Sequence, residues 1–66
     1  MENTLLREAI RKEFKTDAAF GLAIGWVPTK VYKTLRCGYI PKLSEAVTMS
    51  RALNISLDEL ASFYTN

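Results

Sequence analysis

Hydroxyls and cations at helical spacing are the chemistry this chain offers, and they lie between Pro28 and Lys42. With a helix beginning near Pro28, Thr29, Tyr32, Lys33 and Arg36 fall at i, i+3, i+4 and i+7 and share one face, while Val31 and Leu35 point the other way. A stripe of donors of this kind fits the major groove of duplex DNA. Pro28, Thr29, Tyr32 and Lys33 are the expected base-contacting residues, with Lys33 donating to guanine O6 and N7. Tyr32 has two readings, packing on a thymine methyl or bonding a phosphate. Thr16, Lys30, Arg36 and Lys42 are expected at phosphates, where the N-terminus of the helix beside Lys42 adds backbone N–H groups. A solvated polar face is the plainer reading of the same stripe.

The distribution of charge separates these readings better than its total. Net charge is only +2, yet no acidic residue occurs between Asp17 and Glu45, the stretch that holds Lys30, Lys33, Arg36 and Lys42. One face is therefore expected to be positive.

Other chemistries lack their residues. The chain has no histidine and one cysteine, Cys37, so no internal disulfide, zinc site or thiol with a base partner is expected. Cys37 is either an inert small residue or an exposed thiol beside Arg36 open to oxidation. Asp58 and Glu59 are adjacent carboxylates, but a capping box already accounts for them. No catalytic residue, cofactor, metal or small-molecule ligand is expected. The longest uncharged run, Ala18 to Thr29, is short and holds two glycines, and the start MENTLL has no apolar signal core, so a cytoplasmic protein without a membrane segment is expected.

The elements that must position the stripe follow from periodicity and caps. With 48% of its 66 residues apolar, the chain can form one small core. Leu5, Leu6, Ala9, Ile10 and Phe14 mark a first amphipathic helix from Thr4 to about Lys15, capped by Asn3 or Thr4. Thr16 caps a second, Asp17 to Ile24, which Gly25 ends in the left-handed conformation. Pro28 suits the first turn of the third, although Val27 is a poor cap. Arg36 to Ile40 reads as a loop. A fourth helix runs from about Lys42 to Leu53 with Asn54 as its stop. Ser56 and Glu59 form the capping box of a fifth, with Ile55 and Leu60 as a hydrophobic staple.

Within Asp17 to Arg36, counting Asp17 as the first place, Phe20, Ile24, Trp26 and Val31 take the fourth, eighth, tenth and fifteenth places, those that must face inward. Gly25 takes the ninth, at the turn, and Gly21 the fifth, where two helices cross closely. Further on, Pro41-Lys42-Leu43 is followed by Ser50-Arg51-Ala52-Leu53-Asn54-Ile55-Ser56-Leu57-Asp58-Glu59-Leu60. On these two blocks the chain resembles, over nearly its full length, the phage-repressor (Xre/Cro-like) family of helix-turn-helix domains. The resemblance implies an all-α, compact five-helix lambda-repressor-like DNA-binding domain over residues 1–66, with the helix-turn-helix at about 17–36, that binds a palindromic operator as a dimer. The chain departs from the family's pattern in three ways. Asp17 stands where many relatives have Gln at a phosphate, which a carboxylate would repel. Ile10 and Leu35 replace a buried Arg–Glu pair, so an apolar contact between them is expected. Cys37 stands at a common glycine position, with Gly38 following.

Two copies on a palindrome would lie about 34 Å apart. Phe63 and Tyr64 are the expected dimer interface; the alternative is that both fold back on the first helix and complete the monomer's core. Function likewise has two readings of different class. The first is a sequence-specific DNA-binding transcriptional regulator, a small phage or plasmid Cro-like repressor whose partner is double-stranded operator DNA. The second is a helix-turn-helix protein-interaction module, an anti-repressor or adaptor without specific DNA binding. Salt dependence divides them, because neutralising phosphates releases counterions.

Overall fold

Five helices occupy the computed structural model, which describes residues 2–65; Met1 and Asn66, the ends of the expected domain, lie outside the described residues. They are α1 (Thr4–Glu13), α2 (Asp17–Ile24), α3 (Pro28–Arg36), α4 (Leu43–Leu53) and α5 (Leu57–Ser62), with no strand among the described residues. Each begins or ends for a local reason. Asn3 caps α1, its side-chain oxygen accepting the Leu6 N–H at 3.0 Å. The helix stops at Glu13, two residues before the expected end, because Phe14 turns extended (φ −132°, ψ 146°). That turn lays the Phe14 ring edge-on to Phe20 at 5.6 Å.

Left-handed residues end α2 and α4. Gly25 (φ 76°) lets the Trp26 N–H reach back to the Gly21 carbonyl at 2.8 Å, and Asn54 (φ 58°) does the same for Ile55 and Ser50 at 3.0 Å. The Ser56 hydroxyl accepts the Glu59 N–H at 3.0 Å and starts α5.

Every helix contributes to one core. Leu6 and Ile10 of α1, Phe20 of α2, Val31 and Leu35 of α3, Met49 and Leu53 of α4 and Leu60 of α5 are all buried. Ile10 and Leu35 thus sit together in an apolar cluster where an ion pair would have to be desolvated. The helix α4 packs against α1, α2 and α5, and the body measures 26 × 24 × 21 Å. Among the described residues, no helix is long and apolar enough to cross a membrane.

Asn3 ties three parts of this body. Its backbone N–H donates to the Leu35 carbonyl at the end of α3 (2.7 Å), and its amide Nδ2 donates to the Phe63 carbonyl (3.1 Å). The C-terminal aromatics are drawn in by this contact and by the core. Phe63 and Tyr64 are half-buried and pack against the apolar cluster, as the core-completing alternative expects, while Tyr64 also lines a neighbouring groove. Three exposed apolar side chains lie beside them: Ile40, Leu43 and Leu57, with Ala46, Ala61 and Tyr64, line a groove between α5 and the start of α4, while Leu5, Leu22 and Val27 are exposed elsewhere. The Tyr64 hydroxyl is buried there without a hydrogen-bond partner, and burial pushes its pKa up to about 12.

Candidate nucleic-acid interface

The stripe on α3 depends on how closely α2 approaches it. A Cβ placed on Gly21 would lie 2.9 Å from Val31 Cγ2 and 3.1 Å from the Trp26 carbonyl oxygen, so a side chain at 21 would drive the two helices apart. Pro28 then opens α3 at its first turn, with Val27 extended and making no side-chain cap. Val31, Thr34 and Leu35 turn inward, the Thr34 hydroxyl donating to the Lys30 carbonyl at 2.8 Å.

Pro28, Thr29, Tyr32, Lys33 and Arg36 are left exposed. They form a ridge between two shallow clefts, one bounded by Asp17 and Ala18 at the start of α2, the other by Tyr39 of the following loop. The Arg36 guanidinium lies 5.9 Å from the centre of the Tyr32 ring, a cation–π contact that joins two members of the stripe. Lys42 is exposed at the N-cap of α4. Thr16 is exposed as well; its oxygen accepts the Ala19 N–H at 3.1 Å, which leaves its own O–H able to donate.

Lys30 departs from its expected place. Its ammonium donates to Oε2 of Glu45 and stands 4.6 Å over the Trp26 ring. Its side chain is still 36% exposed, but the ammonium is engaged by the carboxylate and the aromatic face.

Glu45 is the residue the sequence reading missed. Its Oε1 accepts the Tyr39 hydroxyl at 2.8 Å and the Lys42 backbone N–H at 2.9 Å, the reach-back bond of a helix N-terminus. The Lys30 hydrogen bond, followed by those from Lys42 and Tyr39, lowers the Glu45 pKa to about 2. The same hydrogen bond to Glu45 raises the pKa of Lys30, and that from Tyr39 raises the pKa of its phenol. The one sequence signal was local: a glutamate at the third position of α4. Nothing local pointed to Lys30, fifteen residues earlier.

Asp17 is also compensated. Its carboxylate faces Arg11, with Nε and Nη2 each 3.4 Å from one of its oxygens, and Arg7 Nη2 at 3.9 Å. Arg7 in turn pairs with Glu2. The Asp17 charge is therefore balanced mainly by Arg11, with Arg7 shared between Asp17 and Glu2. Cys37 is exposed at the end of α3, and the positive φ of the loop falls on Gly38 (74°), the residue that tolerates it. Among the described residues no group of acidic, histidine or cysteine side chains is arranged to hold a metal ion. No protein-family model, curated protein or solved structure matches this chain.

Proposed function

We propose that this protein is a sequence-specific DNA-binding transcriptional regulator, a small repressor of the Cro-like kind, that reads a palindromic operator as a homodimer through a helix-turn-helix formed by α2 and α3. The observation that carries this reading is the exposed ridge of Thr29, Tyr32, Lys33 and Arg36 on a helix whose opposite face is buried and which bears no acidic residue. In the proposed complex Lys33, Thr29 and Tyr32 meet base edges, with Pro28 at the entry. Arg36, Lys42 and Thr16 meet phosphates.

The homodimer is assigned to the groove of Ile40, Leu43 and Leu57, whose exposures of 69%, 77% and 41% are high for large apolar side chains. A symmetric contact there would cover apolar surface and offer the buried Tyr64 hydroxyl a partner.

That same groove favours the second reading, an adaptor that binds another protein and not DNA. Titrating the ¹⁵N-labelled protein with a duplex distinguishes them. The DNA reading predicts amide shifts at Thr29 to Arg36 and around Lys42 that weaken steeply with salt. Shifts confined to the groove, or none, would favour the adaptor.

A further inference from the structure

Glu45 gathers donors from three separate parts of the chain: Lys30 of α3, Tyr39 of the loop after it, and the Lys42 backbone at the start of α4. This is unlike an ordinary surface ion pair. The Glu45 side chain is only 15% exposed, and a flexible pair in water would not engage a phenol and a backbone N–H as well. Lys30 follows directly on Thr29 and lines the same cleft as Thr29, Lys33 and Tyr39, so its ammonium is within a side chain's reach of any phosphate bound there.

We propose that Glu45 is a positioning residue for the nucleic-acid face, an internal anion that withholds Lys30 from DNA phosphates while fixing the loop and first turn of α4 that carry Lys42. The inference rests on the DNA-binding reading. A lysine held by a protein carboxylate neutralises no phosphate, so it releases no counterion from the DNA and adds little to the salt dependence of binding. Holding Lys30 back removes one contact that every sequence would receive equally, so the ratio of specific to non-specific affinity rises. The depressed Glu45 pKa keeps this anion charged throughout the neutral range.

Glu45→Gln tests the assignment, because the amide oxygen still accepts from Tyr39 and Lys42 while the charge holding Lys30 is gone. Binding of a random-sequence 20-base-pair duplex is followed from 50 to 200 mM salt, beside Glu45→Ala, the double variant Glu45→Gln/Lys30→Gln, and Glu8→Gln as a control for net charge on the exposed side of α1. The expected result for Glu45→Gln is a log–log salt slope steeper by about 0.9, equivalent to a loss about 3-fold greater across that range. The double variant and Glu8→Gln should keep the wild-type slope, and Glu45→Ala should bind more weakly than Glu45→Gln at every salt. Thermal unfolding, run in parallel, establishes that each variant is folded.

Equal slopes for wild type and Glu45→Gln, in a protein that selects an operator, would overturn the inference alone. A gain that persists when Lys30 is also replaced would do the same. A Lys30-dependent gain in a protein that selects no operator would support the Glu45 assignment and overturn the regulator reading. Loss of duplex binding by every variant would overturn both.

Discussion

The α2–α3 corner and the α4–α5 groove are built on opposite terms. At the corner, Gly21 lies so close to Val31 and the Trp26 carbonyl that no room remains for even one methyl group. The exposed side of the corner carries the Thr29, Lys33 and Arg36 stripe of α3, with the apolar side chains of Leu22 and Val27 exposed beside it. At the groove, Ile40, Leu43 and Leu57 remain uncovered, and a tyrosine hydroxyl is buried without a partner. One region is closed by a tight helix crossing and presents donors to solvent. The other leaves apolar surface that water covers poorly. The contrast teaches where change should be felt: the corner through folding and recognition, the groove through association.

Substituting the glycine that permits the crossing is the severest way to break the corner. Gly21→Ala should destabilise the domain by about 1–3 kcal/mol, the cost of overpacking against the Val31 side chain and the Trp26 carbonyl oxygen, as measured by urea unfolding. A change below about 0.5 kcal/mol would mean that α2 and α3 have slack there.

On the outer side of the same corner, two lysines sharpen the assignment of roles. Lys33→Ala should relax base preference, costing about 1–3 kcal/mol on the selected operator and little on random duplex. Lys42→Ala should weaken binding to all sequences alike and flatten the salt slope by about one unit. Equal effects of both on every sequence would remove Lys33 from base reading.

The groove is broken by charge instead. Leu43→Glu places a carboxylate on a side chain that is 77% exposed in the monomer, so unfolding should change little. Self-association measured by sedimentation should weaken by about 2 kcal/mol if this is the interface. Unchanged association would move the dimer contact elsewhere.

The smallest effect expected is on acid stability. Glu45 has a folded pKa of about 2 against an ordinary 4.5, so its native-state contribution is fully present above about pH 4.5. It is lost as pH falls toward about 2, where the carboxylate takes a proton in both states. Glu45→Gln should therefore flatten the stability curve between those values in a chemical-denaturation series. An identical curve would show that the Lys30–Glu45 pair persists in the unfolded chain or does not form.

Much of this architecture was legible in the sequence because its rules act over a few residues. Asn3, Thr16 and Ser56 cap the helices that follow them, Gly25 and Asn54 end the helices before them, and Pro28 opens α3. The exposed stripe on α3 follows from the 3.6-residue period once that start is known. What escaped depends on separate elements meeting. Lys30 reads as one more basic residue in an acid-free stretch until α4 brings Glu45 beside it. Asp17 reads as a charge facing DNA until the turn at Phe14 folds α1 back and carries Arg7 and Arg11 to it. Phe63 and Tyr64 read as uncovered because α5 is the last element, whereas Asn3 and the core draw them inward.

The central claim is that the ridge on α3 reads a palindromic DNA sequence, and selection of bound duplexes from a random pool, at low and at near-physiological salt, tests it most directly. The account predicts enrichment of an inverted repeat with half-sites about 34 Å, or one helical turn, apart, retained at the higher salt. Weak binding without enrichment, vanishing as salt rises, would contradict it and leave only attraction to phosphate.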